Sequence, residues 1–361
     1  MIQHQPKEES PVIHGNEQME NPKQEEFYID TFQPEDAQRL VRLFLAVYGE
    51  HYPIQLFYDP QAIISVNEAG KYYSIVVRTV SGNIIGVTHL FRSAPNPLVY
   101  ETGIGLVLKE YRSTGAYTRM NEYLFDEFVP RKDNIEETFG EAVCNHVFTQ
   151  KSGAHFKHVF TALEVALMPA AAYAKEKSAK GRVAALCGFR CCKPKPHRIY
   201  VPAPYEMDLR RIYSRLDDSR DMALSAAQAP ADLVSRISLE IFDFAQVARI
   251  AVHEIGEDFS DAFSKMEMQA VAGKAVVLQA WLNLGVPWVG SAVHTLNERG
   301  YFFGGVLPRW FDSDGLLMQK LLCPPDFDGI VLDSAESKQL LNTVRQDWER
   351  VQASAVDPST G

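Results

Sequence analysis

A glycine-containing turn between an apolar strand and a helix is the feature that most restricts how this chain can fold. Residues 99–108 have the apolar and β-branched composition of a strand, and residues 118–128 have the pattern of a helix that Pro130 ends. Gly115 lies in the loop between them. Backbone N–H groups at a helix start lack partners, and the helix dipole adds positive character there. The loop is therefore either a binding site for an anion or an ordinary capped turn.

The segments around this turn predict an α+β fold. A strand at 27–32 precedes a helix that opens at Pro34, and two strand-like segments, 72–78 and 84–91, flank a tight glycine-containing turn. A further strand is predicted at 141–148. This order begins with antiparallel pairs and contains one strand–loop–helix crossover. It differs from the regular strand–helix alternation of a doubly wound sheet.

Composition and charge limit the classes of function. The chain has 361 residues with ordinary globular composition, for which two domains are the natural expectation. Its net charge of -10 repels phosphate groups and anionic lipid, so we expect neither a nucleic acid nor a membrane as partner. No apolar run approaches the roughly 20 residues that a membrane-spanning helix needs. The five cysteines are odd in number and irregularly spaced, which predicts a reducing compartment, the cytoplasm.

Five regions are predicted along the chain. Residues 1–26 are polar and acidic, lack the apolar stretch of a signal peptide, and are expected to be disordered. Residues 27–222 form a first domain with a C-terminal extension rich in proline. The Ala-rich segment 223–235 is a linker, residues 236–352 form a second domain, and residues 353–361 are a disordered tail.

The residues around Gly115 resemble the signature of the GNAT superfamily of N-acetyltransferases. In that family a Val closes the fourth strand, and an aromatic residue and an Arg precede a pattern of R/Q-x-x-G-x-G/A. Val107, Tyr111, Arg112 and Gly115 take these positions here. Tyr117 departs from the pattern, because the family prefers Gly or Ala at that place. The family's fold is a mixed, mostly antiparallel sheet that is splayed between strands 4 and 5 and flanked by helices.

The resemblance covers residues 27–166, where the strand order matches, and 144–150 resembles the fifth strand and following loop of one bacterial branch. It implies acetyl-CoA or a related acyl-CoA as cosubstrate and an amine as acceptor. The backbone of Leu106, Val107 and Leu108 would accommodate the pantetheine arm. The N–H groups that would bind the pyrophosphate are those of Arg112, Ser113, Thr114, Gly115, Ala116 and Tyr117. An N–H group near Val107 would polarise the thioester carbonyl, which the amine attacks directly.

Two residues are candidates for the base that deprotonates the amine. Glu101 lies six residues before Val107, where members of the family often place a general base; the alternative is a solvated carboxylate on a strand. His146 lies near the splay as base or substrate ligand, or is a structural histidine. The family's usual acid is a Tyr that this chain lacks in residues 149–156. The substitutes left open are Ser152, His155 and Tyr117.

Three other features are interpreted as structural. We expect His89 to be a packing or surface residue. The cysteines of 187–192 with His197 do not have the spacing of a zinc site, so no metal is expected. The segment 312–315 lacks most ligands of a calcium loop and is predicted to be a polar turn.

The second half resembles the C-terminal half of the same fold. Strands are predicted at 275–282, 301–308 and 316–322, with a helix at 288–299 that Gly300 ends. No Arg-x-x-Gly-x-Gly loop precedes them, because 252–256 reads Val-His-Glu-Ile-Gly. The resemblance therefore implies a tandem protein whose smaller, GNAT-like α+β second domain is degenerate in cofactor binding. It either completes the acceptor pocket or forms a homodimer face.

The leading hypothesis is an N-acyltransferase that moves an acetyl or other acyl group from coenzyme A to an amine. The alternative is a non-catalytic acyl-CoA sensor or regulatory protein that keeps the fold, and a third hypothesis is an interaction module that binds no cofactor. The acidic net charge favours a cationic acceptor, but no particular acceptor is identified.

Overall fold

The first half of the chain forms a sheet that is antiparallel except at one place. The computed structural model describes residues 25–170 and 181–356. The seven strands of this half are β1 (Phe27–Thr31), β2 (Tyr72–Thr79), β3 (Ile84–Phe91), β4 (Val99–Val107), β5 (Glu137–Val143), β6 (Val159–Met168) and β7 (Val183–Cys191). They lie in the order β1-β2-β3-β4-β5-β7-β6, and only the β4–β5 pair is parallel. The sheet has the strand arrangement implied by the GNAT resemblance, so the expected α+β fold is confirmed.

Four helices cover this sheet: α1 (Ala37–Tyr48), α2 (Pro60–Glu68), α3 (Ala116–Glu122) and α4 (Phe148–His155). Helix α1 buries Leu40 and Phe44 against Val76 of β2, on one face of the sheet. Helix α3 buries Met120 against Ile75 and its neighbours on the opposite face, as the alternation of side chains along β2 requires. It continues into a π-helical turn at Tyr123–Phe128.

Strand β5 lies earlier in the chain than predicted. It begins at Glu137 and ends at Val143, whereas the expected strand was 141–148. Pairing with β4 on one side and β7 on the other buries Glu137 and Thr138 to 2% and 0% exposure. The polar start of this strand hides it from a pattern based on hydrophobicity. Residues 144–147 form a turn that leads directly into α4.

The second half repeats the strand order of the first half from its third strand onward. Its strands are β10 (Arg236–Phe242), β11 (Val247–Glu254), β12 (Val277–Asn283), β13 (Phe302–Leu307) and β14 (Gly315–Leu321). They lie in the order β10-β11-β12-β14-β13, again with one parallel pair, β11–β12. Helices α6 (Phe259–Ala272), α7 (Val289–Glu298) and α8 (Ala335–Val356) accompany them. Gly300 follows α7 with a φ of 89°, as predicted.

The two halves share one twelve-stranded sheet, joined where β6 meets β13. Gly305 of β13 pairs with Ala162 of β6, and its φ of 129° lies in the region that favours glycine. The side chain of Gln319 accepts from the N–H of Val165 at 2.9 Å and donates to the carbonyl of Leu163 at 2.8 Å. A buried polar side chain therefore supplements the short backbone ladder at this joint.

A connector of two parallel strands and a helix links the halves: β8 (His197–Val201), α5 (Glu206–Tyr213) and β9 (Arg220–Leu224). The predicted domain boundaries stay a prediction. Of the segments expected to be disordered, residues 1–24 and 357–361 lie outside the described residues, while α8 continues to Val356, beyond the start of the expected tail. None of the helices within the described residues is long and apolar enough to cross a membrane.

Candidate active site

Strands β4 and β5 separate after a short parallel ladder. Only residues 99–101 of β4 pair with residues 137–139 of β5. Immediately beyond this ladder, the pairing of β4 with β3 shifts register, and Ile104 adopts a φ of 55°. A bulge of this kind bends its strand away from the regular sheet. The bend and the end of pairing open a cleft within the sheet, on the side of α3 and α4.

The cleft has a volume of about 220 Å³ and a mixed lining. Phe125, Phe156 and Phe160 provide apolar surface, and Thr102 of β4 and Thr149 of α4 also line it. The hydroxyl oxygens of these two threonines are inaccessible to water and have no hydrogen-bond partner among the described residues. Because buried polar groups are nearly always hydrogen-bonded, the two hydroxyls point to a ligand that would complete them.

The end of β4 directs one backbone N–H group into the splay. The N–H of Leu108 donates to the carbonyl of Ile85 in β3 at 2.8 Å. Because these groups alternate in direction along a strand, the N–H of Val107 is directed away from β3, towards the open side. The carbonyl of Val107 already has a partner, because it accepts a hydrogen bond from Nε of Arg112 at 3.2 Å. From this direction, the N–H of Val107 can serve as an oxyanion donor.

The loop after β4 presents its backbone at an open surface. Gly115 has a φ of 80° and forms the N-terminal cap of α3 without a side-chain hydrogen bond. A Cβ atom built on Gly115 would meet no other heavy atom within 4 Å, so the space beside this residue is free. Thr114 turns its hydroxyl back to the carbonyl of Tyr111 at 2.7 Å. Two of the predicted donors are already engaged: the N–H of Arg112 donates to the carbonyl of Lys109 at 3.4 Å, and that of Thr114 donates to the carbonyl of Tyr111 at 3.2 Å. The N–H groups that remain for an anion are those at the start of the helix.

The predicted binding residues do not all lie in the cleft. Tyr117 lines it, with its ring close to Gly105. The backbone lining comes from residues 102–105, earlier on β4 than the predicted residues Leu106, Val107 and Leu108. The side chains of Leu106 and Val107 are buried in the cores on the two faces of the sheet. The bulge at Ile104 moves the opening towards the start of the strand. Its signal in the sequence is the pair of glycines that flank it, Gly103 and Gly105, which the prediction did not use.

Glu101 is the last residue of β4 that pairs with β5, so it lies at the apex of the splay. Its carboxylate accepts a hydrogen bond from the hydroxyl of Ser93 at 2.6 Å. Burial, followed by the negative charge of Glu141, raises the pKa of Glu101 to about 8. Once ionised, which is its main form above about pH 8, a carboxylate with such a pKa can remove a proton from an ammonium ion.

A network beside Glu101 joins the two halves and was not found from the sequence. Nη2 of Arg249, on β11, lies 2.6 Å from Glu141 of β5 and 3.4 Å from Glu164 of β6. The side chain of Gln279, on β12, accepts a hydrogen bond from Nε of Arg249 at 3.0 Å and donates one to the carboxyl group of Glu164 at 2.7 Å. Burial and the charge of Glu141 raise the pKa of Glu164 to about 7. Arg249 follows Glu141 by 108 residues, so no local pattern could connect them.

The other acid and base candidates are distributed differently from the prediction. His146 lies in the turn between β5 and α4 rather than on the strand, because β5 ends at Val143, and it does not line the cleft. Ser152 lines the cleft, while His155 is exposed beside Phe156. His158, which the sequence did not single out, also lines the cleft, and burial lowers its pKa to about 4.

The residues interpreted as structural have structural environments. His89 is fully buried, its Nδ1 lies 2.8 Å from the hydroxyl of Ser74, and burial lowers its pKa to about 3. The thiol of Cys187, on β7, donates a hydrogen bond to the carboxyl group of Glu164, on β6, at 3.3 Å. Across residues 25–170 and 181–356, no group of three or more His, Cys, Asp or Glu side chains is arranged to hold a metal ion.

Comparison with known proteins gives structural likeness without sequence likeness. No protein-family model matches the chain, and no curated protein matches it. It is similar in structure to the ribosomal-protein-S18-alanine N-acetyltransferase from Escherichia coli, with 12% identity and a TM-score of 0.37, over 47% of this chain and 96% of that chain. An N-acetyltransferase from Staphylococcus aureus Mu50 has 12% identity and a TM-score of 0.37, over 46% of this chain and 99% of that chain. The ribosomal L7/L12 alpha-N-protein acetyltransferase RimL in complex with coenzyme A has 9% identity and a TM-score of 0.36, over 46% and 93%.

Proposed function

We propose that this protein is an N-acyltransferase that moves an acetyl or other acyl group from coenzyme A to an amine. The observation that supports this most is the open splay between β4 and β5, with a basic carboxylate, Glu101, at its apex. The two unpartnered threonine hydroxyls in the cleft and the open backbone at Gly115 fit a ligand with a polar arm and an anionic end.

The chain's own residues supply three contributions to such a reaction. The N–H groups at the start of α3 bind the pyrophosphate, because a helix N-terminus favours an anion. The N–H of Val107 donates to the carbonyl oxygen of the thioester as negative charge develops on it. Binding donor and acceptor together removes much of the entropic barrier between them.

The proposed transfer needs no nucleophile from the enzyme, because the amine attacks the thioester directly. The ammonium of the acceptor loses a proton to Glu101, and the amine nitrogen forms a bond to the thioester carbon. The carbon–sulfur bond of the tetrahedral intermediate then breaks. The nitrogen loses its second proton, and the leaving thiolate takes up one proton, so the proton held by Glu101 is the one released overall. Tyr117 and Ser152 line the cleft and carry hydroxyl groups that can donate to this sulfur.

The test of cofactor binding uses two glycines with similar backbone geometry. Gly115 and Gly82 both have positive φ, 80° and 88°, but Gly82 lies in the β2–β3 turn, away from the cleft. Asp at either position adds the same charge to a residue with a positive φ. We expect Gly115→Asp to abolish binding of acetyl-CoA in calorimetry, because a carboxylate repels the pyrophosphate, while Gly82→Asp keeps it. Equal affinity in the two variants would contradict the assignment of this loop.

Release of free thiol from acetyl-CoA across a panel of amines tests the chemistry itself. Amine-dependent release supports a transferase. Tight binding of acetyl-CoA without release for any amine in the panel would instead identify a non-catalytic sensor of acyl-CoA.

A further inference from the structure

A second and larger cavity lies between the two halves of the chain. It has a volume of about 780 Å³, and Ile104 and Glu141 line both this cavity and the cleft. We call it the inter-half chamber. The first half contributes Glu101 and Tyr72, among others, and the second half contributes residues of β10 and β11. The chamber therefore opens onto the apex of the splay from the side of the second half.

The second half presents one face of its edge strand to this chamber. Along β10, Glu240 and Phe242 are exposed and line the chamber. Ile241, which alternates with them, points to the other face, where a Cβ on Gly273 at the end of α6 would lie 2.6 Å from its Cδ1. Arg249 of β11 lies against the ring of Phe242, with 5.2 Å from its guanidinium carbon to the ring centroid. This half thus provides a wall with both charged and aromatic groups.

The base of the chamber holds more carboxyl groups than cations. Glu101 and Glu141 line it, and the single guanidinium of Arg249 pairs with Glu141 and with the buried Glu164 behind it. Among the other charged residues that line the chamber, the two carboxylates of Glu240 and Asp243 outnumber the one guanidinium of Arg92. A positively charged group that enters the base is attracted by Glu141 and, as pH rises towards the Glu101 pKa of about 8, by the ionised carboxylate of Glu101 as well.

The walls above these carboxyl groups are apolar and aromatic. Tyr72 and Phe91 stack with their ring centroids 5.3 Å apart, and Tyr52 and Phe242 also line the chamber. Aromatic faces bind both apolar groups and organic cations. Such walls fit the body of a ligand whose cationic end reaches the base.

We propose that the inter-half chamber binds the acceptor, and that the acceptor is a primary amine on an apolar or aromatic body. This inference rests on the proposed function. The ammonium lies between Glu101 and Glu141, next to the thioester in the cleft, and the body packs against Tyr72, Phe91 and Phe242. Residues of the second half therefore determine specificity for the acceptor, although the second half takes no part in binding coenzyme A.

The experiment is steady-state kinetics of the full chain with acetyl-CoA and three amines: 2-phenylethylamine, spermidine and taurine. We expect 2-phenylethylamine to be the best substrate. Phe242→Ala should raise its KM roughly tenfold through the lost aromatic contact and leave the KM of acetyl-CoA unchanged. Phe242→Tyr should restore the KM. Met268→Ala, at an exposed apolar residue of α6, is the matched control and should change neither KM.

Calorimetry of 2-phenylethylamine with the coenzyme A complex separates the two proposals. A Phe242-dependent affinity supports the chamber even without turnover, and absence of turnover would then count against the transferase alone. Turnover that is unaffected by Phe242→Ala would overturn the chamber assignment and leave the transferase in place. A preference for spermidine or taurine over 2-phenylethylamine would overturn the apolar-body assignment.

Discussion

Glu101 shows how a single side chain acquires an unusual protonation equilibrium from its position. It ends the β4–β5 ladder, so it has the sheet on one side and the chamber on the other. The surrounding protein removes water from its carboxyl group, and the nearby charge of Glu141 disfavours a second negative charge. The one strong hydrogen bond, from Ser93, lowers the pKa but does not offset these two effects.

We predict that the kcat/KM of the transferase rises with pH and reaches half of its plateau near the Glu101 pKa of about 8. Glu101→Gln should lower kcat/KM by about 10²- to 10⁴-fold, the usual contribution of a general base, and remove this limb of the profile. Glu254→Gln, at a half-buried glutamate of β11 outside the chamber lining, is the control. The same limb in Glu101→Gln would mean that another group is the base.

The raised pKa of Glu101 also has a consequence for stability. Between its ordinary value of 4.5 and about 8, the folded state holds a proton that the unfolded state releases. The contribution of Glu101 to the free energy of unfolding is therefore fully present below pH 4.5 and is lost as pH rises through 8. We predict that the thermal midpoint of Glu101→Gln falls less between pH 5 and pH 9 than that of the unsubstituted protein. Parallel curves for the two proteins would contradict the raised pKa.

At the scale of elements, the two parallel pairs of the sheet differ in one decisive respect. The β4–β5 pair ends after residues 99–101, whereas β11 and β12 stay paired through residues 247–252 and 277–282. The loop after β11 is also covered. The N–H of Gly256 donates to the hydroxyl of Ser235 at 2.9 Å, and a Cβ on Gly256 would overlap the carbonyl of Leu233. Within the described residues of the second half, the β11–β12 pair is therefore not splayed, and the loop after β11 is not open to a cofactor.

We expect calorimetry of the full chain with acetyl-CoA to give one site per chain, because of the two parallel pairs compared above, β4–β5 opens into a splay and β11–β12 does not. A Gly115→Asp variant should then retain no site at all. A stoichiometry of two, or one residual site in the variant, would show that the second half binds the cofactor despite its closed strands.

The elements were predicted to different extents for physical reasons. Strands β2, β3 and β4 and the turn at Gly115 follow from local composition, because each is bounded by residues with strong turn or strand preferences. Strand β5 was misplaced because its polar first residues are buried only by its neighbours on both sides. Glu101 was found through the family resemblance. Arg249 was not, because its role depends on how two distant halves pack.

At the scale of the whole molecule, the largest hydrophobic cluster among the described residues is shared by the two halves. A single cluster of buried residues runs from Leu163 of β6 through Phe303 of β13 to Val344 of α8. Because residues of both halves lose water together, we expect the chain to unfold in one cooperative transition. The joint between β6 and β13 is a tightly packed part of this core, because a Cβ at Gly305 would overlap the carbonyl oxygen of Thr161.

We predict that Gly305→Ala lowers the free energy of unfolding by about 3 kcal/mol, the upper end for overpacking. A Cβ at this position would overlap the Thr161 carbonyl and the Ala162 Cα, and the φ of 129° adds strain. Gly181→Ala, where a Cβ meets nothing within 4 Å, should be nearly neutral. Calorimetry should show one shifted transition. Two separate transitions would mean that the halves unfold independently.

The joint at β6 also bears on what a shortened protein would do. Strand β6 has ten residues, most of them apolar and buried, and β13 lies along its outer edge. If the second half were removed, the backbone groups along this edge would lose their partner strand. A long apolar edge strand without a partner can pair with strands of other chains. A fragment containing only the first half would therefore tend to aggregate, so poor solubility of that fragment would reflect its lost neighbour rather than a failure of its own fold.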